Sequence, residues 1–287
     1  MGRDRARADR RPAVNTPPRP ALRWHGGKWL LAPWIVQHFG PHRVYVEPFG
    51  GAASVLLRKP RSYAEIYNDL DDDVVGLFRV LRDPDAAAVL IRELELTPFA
   101  RCEFFAAYER SDEPIERARQ LVVRSFMGFG SNGHRRSTGF RACSNRSGTT
   151  PAHDWGNLPA SLRLVAERIM GCIIENRDAR VVMSQHDSQE TLHFVDPPYV
   201  LATRSDPSKD YAFELSDEDH VDLIEFLREL QGAVVLCGYP SELYDGALED
   251  WHRVDRAALA DGAKPRTECL WLNEAAAKAV AQRSLFG

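Results

Sequence analysis

The sequence predicts an α/β fold: a mostly parallel sheet ending in an antiparallel hairpin, interrupted by a long, mainly helical insertion. Three observations carry this expectation. Short apolar runs recur toward both ends of the chain, at residues 44–47, 63–67, 172–175, 192–195 and 233–239. Runs of that length bounded by turn residues read as buried strands. The middle carries helical apolar spacing and then, over 128–150, a Gly-, Ser-, Asn- and Arg-rich stretch. Finally, Gly51 and Asp196 each lie just after an apolar run, yet they are 145 residues apart. A plain path from a first to a fourth parallel strand needs about half of that, at ~30 residues per βαβ unit. The surplus, residues 76–165, is the expected insertion.

Taken in order, residues 1–21 hold Arg3, Arg5, Arg7, Arg10 and Arg11, then Pro17, Pro18 and Pro20, and read as a disordered basic arm. Residues 44–47 are the first strand and 63–67 the second. Asp83-Pro84-Asp85 places carboxylates at the positive end of a helix over 86–95. Residues 99–110 and 114–127 repeat Phe104, Phe105 and Tyr108, then Ala118, Leu121, Val122 and Phe126, at helical spacing. Ser216 and Asp219 mark the start of a helix over 217–230, so the acidic run there is a cap rather than a catalytic pair. Residues 251–254 and 267–272 form a terminal hairpin.

Composition bounds the functional class. A chain of 287 residues with 44% hydrophobic and 27% charged residues can bury a full core. No apolar stretch approaches the ~18 residues of a membrane span, and no signal-peptide pattern opens the chain. Five scattered cysteines without Cys-x-x-Cys indicate a reducing cytoplasm and no structural zinc. Net charge is −4, but residues 1–30 carry eight Lys/Arg against two Asp/Glu, and residues 115–150 carry seven Arg against one Glu. Such segregation fits a basic face on an acidic body, as a nucleic-acid partner requires.

Three motifs carry chemistry. Glu47-Pro48-Phe49-Gly50-Gly51-Ala52-Ala53-Ser54 follows the first strand and opens a helix. Its glycines let the backbone turn tightly against a ligand, and the helix start attracts an anionic group. Asn68-Asp69 closes the second strand, where an acid commonly accepts from ribose hydroxyls. Asp196-Pro197-Pro198-Tyr199 follows the apolar run 192–195, at a strand's carboxyl end, where ligands bind in open α/β sheets. Two prolines have no N–H and fix φ, so they make a stiff turn. That turn offers a carboxylate, bare carbonyls and an aromatic ring, a set that suits a flat heterocycle with an exocyclic amine.

These motifs, in this order, resemble the DNA adenine-N6 methyltransferases of the Dam type over roughly residues 22–274. The resemblance rests on Leu22-Arg23-Trp24-His25-Gly26-Gly27-Lys28-Trp29, the glycine turn, Asp69, and Asp-Pro-Pro-Tyr at 196–199. It departs at Ala53, where the family pattern has a second glycine. It implies a Rossmann-like class I methyltransferase sheet at 22–75 and 166–287, binding S-adenosylmethionine without a metal. It also implies an inserted target-recognition domain, mainly helical with a β-hairpin, at 76–165. The cofactor residues it implies are Trp24, Gly26, Gly27, Lys28, Glu47, Pro48, Phe49, Gly50, Gly51, Asn68, Asp69, Asp187 and Asp196. In that scheme Lys28 meets the donor's carboxylate and Asp187 its adenine ring.

The expected reaction is direct in-line transfer to adenine N6 in double-stranded DNA, with the base flipped out of the helix. Asp196 and the Pro197 carbonyl accept the two N–H groups, Pro198 stiffens the turn, and Tyr199 stacks on the base. Asn132-Gly133 is a hairpin turn signal, and Asn132, His134, Arg135, Arg136 and Arg141 are the expected DNA contacts. Arg266 to Asn273 resembles a closing segment of the family, read here as the last strand of the sheet. The resemblance admits a cognate restriction endonuclease as partner and a monomeric state. A cytosine-N4 or RNA methyltransferase, or a DNA-binding homologue without catalysis, stays open as an alternative. A zinc deaminase does not, since neither His-x-Glu nor Pro-Cys-x-x-Cys occurs.

Overall fold

The strand cores alternate in period two, and each parity packs on its own helical layer. Tyr45, Tyr67, Phe194, Val235 and Leu270 belong to one apolar cluster. Val46, Ile66, Val195, Leu236 and Trp271 belong to the other. The structure is a computed structural model that describes residues 16–130, 138–143, 148–204, 213–259 and 265–286. Its elements run α1 (Ala32–Gln37), β1 (Val44–Glu47), α2 (Ser54–Arg58), β2 (Ala64–Asn68), α3 (Asp72–Arg82), α4 (Pro84–Leu96), α5 (Arg101–Ala106) and α6 (Pro114–Met127). They continue with α7 (Pro151–Gly156), α8 (Leu158–Ile169), β3 (Ile173–Glu175), α9 (Ala179–His186), β4 (Thr191–Val195), α10 (Asp217–Glu229), β5 (Ala233–Gly238), α11 (Glu242–Ala247), β6 (His252–Leu259), β7 (Pro265–Leu272) and α12 (Glu274–Phe286).

One seven-stranded sheet has the order β3-β2-β1-β4-β5-β7-β6. The first five strands are parallel, and β7 pairs antiparallel with both β5 and β6. The fold class read from the sequence is therefore the one observed. The chain leaves β1 toward β2 on one side and reaches β4 on the other, with Val44 facing Thr191 and Val46 facing His193. The order reverses between those two strands. Such a switch point leaves a crevice outside the strands' carboxyl ends.

Local chemistry sets the helix starts. Asp83 accepts from the N–H groups of Asp85 and Ala86, and Pro84 occupies the first turn of α4. Ser216 and Asp219 form a reciprocal capping box on α10, which confirms the acidic run as a cap. Leu158, Leu162, Val165 and Ile169 form a fully buried stripe on α8, a helix the sequence expectations omit.

Two boundaries move. Pro17 and Ala21 are buried, and the Arg19 guanidinium donates to the Asp154 carbonyl at 2.8 Å. Packed structure thus begins by residue 17, inside the expected arm, whose residues 1–15 lie outside the described residues. The limits drawn at 76 and 165 also cut through α3 and α8. Leu77 of α3, Leu90 of α4, Leu121 of α6 and Leu162 of α8 join the same cluster as Tyr45 and Phe194 of the sheet. The helical segment and the sheet share one core. Gly128 and Phe140 form an antiparallel bridge that flanks the expected Asn132-Gly133 turn, which itself lies outside the described residues.

Ala53, the residue before α2, adopts φ 53° and ψ 34°. Among the described residues it is the one non-glycine with positive φ. A Cβ in the left-handed region costs about 1 kcal/mol. Ala53→Gly is expected to raise the melting temperature by about 2 °C. A thermal melt showing no gain would remove the case for strain at this turn.

Candidate active site

The carboxyl ends of β1, β2 and β4 open into one cleft of about 990 Å³, its open mouth included. Trp24, Gly26, Gly27, Lys28, Glu47, Pro48, Phe49, Gly50, Gly51, Asp69, Asp196, Pro197 and Pro198 all line it. Residues from four separated segments of sequence thus meet at the switch point.

The glycine turn is fixed by its neighbours. Gly51 has φ +46°, and a Cβ there would come within 2.6 Å of the Trp24 indole nitrogen. A Cβ on Gly50 would come within 2.1 Å of the Tyr67 ring. The Gly51 N–H donates to Asp69 Oδ2 at 2.8 Å, and the Tyr67 hydroxyl donates to the Gly51 carbonyl at 2.7 Å. Asp69 also accepts from the Asp71 N–H at 2.9 Å. Burial pushes the Asp69 carboxyl up to about 6, against the pull of these N–H donors. Asn68 sits beneath, fully buried. Its amide donates to the Pro48 and Arg177 carbonyls and accepts from the Arg177 N–H. It braces the loops without lining the cleft.

Glu47 closes the floor. It accepts from the Tyr45 hydroxyl at 2.6 Å and the Leu56 N–H at 2.9 Å. Burial lifts its carboxyl to about 8, which favours the protonated form at pH 7.

Asp196 and Lys28 form the opposite corner. The Lys28 ammonium, 4% exposed, lies 3.0 Å from Asp196 Oδ2 and donates to the Gly26 carbonyl at 2.6 Å. The sequence expectation gave this lysine to the donor's carboxylate. Here a buried ammonium needs a counter-charge, and Asp196 supplies it. The other oxygen, Oδ1, is buried with no hydrogen-bond partner among the described residues. Burial raises the Asp196 carboxyl to about 6, with Lys28 opposing and Glu268 adding to the rise.

Tyr199 is not part of the cleft wall. Its hydroxyl donates to Glu268 Oε2 at 2.7 Å and lies 3.3 Å from the Cys237 sulfur. Its ring meets Tyr239 edge-on at 4.6 Å, and the Lys28 ammonium lies 4.7 Å from its centre. The expected stacking ring is thus packed behind Asp196.

Two other expectations are corrected. Asp187 precedes β4, at the end of the sheet remote from the cleft. It binds the N–H groups of Gln231 and Gly232 and the His193 ring, so it locks the entrance of β5 and does not reach a ligand there. Arg141 is 6% exposed, with its guanidinium 3.4 Å from Asp154. It fastens its segment to the protein instead of facing outward. Asn132, His134, Arg135 and Arg136 lie outside the described residues. Ala179, Phe194, Leu70 and Leu215 also line the cleft and had no place among the sequence candidates. For Ala179 a signal existed: Asn176-Arg177-Asp178 is a turn at a strand's carboxyl end.

The family model for the D12 class N6 adenine-specific DNA methyltransferases matches residues 24–256, which span both corners of this cleft. The chain belongs to the D12 class N6 adenine-specific DNA methyltransferases. This D12 chain is also 32% identical over 117 residues to a DNA adenine methylase of Escherichia coli strain K12, and equally to one of Escherichia coli O157:H7. Those matches cover 39% of the D12 chain and 41% of each relative, so the chain spans about two fifths of the length of the curated relatives it matches. Among the described residues no helix is long and apolar enough to cross a membrane.

Glu47 gives a test of the cleft's electrostatics. Its raised carboxyl favours folding below the ordinary Glu range, and that contribution is lost as pH rises from 4.5 through about 8. Glu47→Gln removes the loss. The melting temperature of the variant minus that of the wild type should therefore climb between pH 5 and pH 9. A difference independent of pH would contradict the burial argument.

Proposed function

We propose that this chain transfers the methyl group of S-adenosylmethionine to the N6 amino group of an adenine flipped out of double-stranded DNA. The observation that carries this reading is Asp196: one oxygen held by Lys28, the other buried, unpartnered and beside two proline residues at a switch-point cleft. An acceptor left open in such a place calls for a donor from the substrate, and an exocyclic amine is one.

The cleft's other wall fits the methyl donor. Gly50 and Gly51 leave space that a Cβ would fill, so backbone can approach a ligand closely. Asp69 would hold the ribose hydroxyls, and Ala179, Leu70 and Phe49 would cover the donor's flat base. When bound, S-adenosylmethionine supplies an electrophilic methyl carbon on a sulfonium.

The chain's own residues do the rest. Asp196 Oδ1 accepts one N6–H and the Pro197 carbonyl accepts the other. This weakens delocalisation of the nitrogen lone pair into the ring. As positive charge builds on nitrogen, the Asp196 carboxylate stabilises it. Lys28 keeps that carboxylate aimed and ionised through its second oxygen. Walls that exclude water hold the two reactants in contact. Extruding the base costs a few kcal/mol, offset by contacts to phosphates and base edges. We assign those contacts to the basic segment flanked by the Gly128–Phe140 bridge, namely Asn132, His134, Arg135 and Arg136. Exchanging Arg135 and Arg136 for glutamates should weaken DNA binding and flatten its salt dependence.

Radiolabelled methyl transfer to unmethylated DNA, followed by nucleoside analysis, tests the assignment. N6-methyladenine is the expected product, and label on cytosine or RNA would sink it. Asp196→Ala should lower transfer at least about 10²-fold with donor affinity kept. At saturating donor the wild-type rate should fall tenfold per unit below pH 6, as the carboxylate raised to about 6 takes up a proton. A flat profile from pH 5 to pH 8 would contradict the role of Asp196.

A further inference from the structure

We infer that Glu268 is a positioning residue for this transfer, tethering Tyr199 behind Asp196 and setting a second carboxylate behind the acceptor corner. The inference rests on the reaction proposed above.

Glu268 belongs to β7, where Cys269 pairs with Gly238 of β5. The sequence assigns residues 266–273 to closing the sheet, and most of them do this. Leu270, Trp271 and Leu272 are buried apolar residues. Asn273 accepts from the Val234 N–H and donates to the Gly232 carbonyl, fastening the start of β5. Glu268 does not fit that task. It is 6% exposed, and among the described residues no lysine or arginine pairs with it. Its contacts are the Tyr199 hydroxyl at 2.7 Å and the Cys237 thiol at 3.8 Å. A buried carboxylate without a cation costs several kcal/mol, and an apolar side chain would close the sheet without that cost.

The charge count around Asp196 supplies the reason. The groups that face it are Lys28 from the loop before α1, Glu47 from β1, Tyr199 on its own turn, Cys237 and Tyr239 at the end of β5, Tyr244 from α11, and Glu268 from β7. Glu47 favours its protonated form at pH 7, and so do the tyrosines and the thiol. Lys28 and Asp196 cancel. Glu268 sets a second carboxylate behind the amine nitrogen as it turns cationic, and its charge acts on Asp196. The same carboxylate receives the Tyr199 hydroxyl, and this fixes the ring that packs against Lys28.

Glu268→Gln tests the charge, because the amide oxygen still accepts from Tyr199. Single-turnover methyl transfer is measured at saturating donor and DNA from pH 5 to pH 9. The expected result is a rate about tenfold lower at pH 8. The acid limb should move down by about half a pH unit, since the repulsion that raises Asp196 is gone. Donor affinity should hold within about twofold. Glu268→Asp, which keeps the charge, should restore the limb. Tyr199→Phe cuts the tether and removes a hydroxyl that holds the Asp196 carboxyl down, so its rate should fall and its limb should move up. A Glu268→Gln chain with wild-type rate and limb overturns the electrostatic role, and a Tyr199→Phe chain with wild-type rate overturns the tether. Should Glu268→Gln fail to fold, the limbs of Glu268→Asp and Tyr199→Phe decide alone: the first must coincide with wild type and the second must lie above it, and any other result overturns the inference. A wild-type chain that transfers no methyl group overturns the reaction itself, a result distinct from all of these.

Discussion

The parallel pairing of β1 with β4 is the constraint on which the rest of the molecule depends. It sets Val46 opposite His193, so the chain just beyond each strand emerges at the same edge of the sheet. The glycine turn after β1 and the proline turn after β4 then share one cleft, though 145 residues separate Gly51 from Asp196. Slipping that register by one residue would turn Phe194 and Val195 to the wrong layers. Both layers are apolar and filled, so the slip is strongly disfavoured. Precision at the cleft is inherited from burial on the two faces of the sheet.

Much of this was legible in advance, because the signals were local. Strand positions followed from apolar runs, the start of α10 from Ser216 and Asp219, and the terminal hairpin from two apolar runs with a turn between them. Most cofactor candidates lay in loops directly after strands, and a loop there has little choice but to face the crevice. The failures concern partners, which sequence spacing does not encode. Lys28 has its nearest carboxylate 168 positions away. Tyr199 belongs to a stiff turn, but the turn fixes its backbone and leaves the direction of its ring to Glu268 and Tyr239. Asp187 is only nine positions before Asp196, and a strand between them, rising about 3.3 Å per residue, carries it to the far end of the sheet. The limits drawn at 76 and 165 fall inside α3 and α8, because these helices share a core with the sheet and a shared core leaves no composition break to read.

The cleft is electrostatically unusual for a chain with an expected nucleic-acid partner. Burial raises three of its carboxyls, Glu47, Asp69 and Asp196, and Lys28 is already engaged with one of them. Carboxyls raised in this way hold their protons more readily than exposed ones, and the Lys28 charge is spent on Asp196.

The order β5-β7-β6 has a consequence for synthesis. As the chain leaves the ribosome, β6 emerges before β7, yet its hydrogen-bonding partner in the sheet is β7. Until β7 arrives, β6 has nowhere to dock and β5 presents an open edge, an invitation to mispairing with other nascent chains. Pairing of β7 with both strands closes that edge.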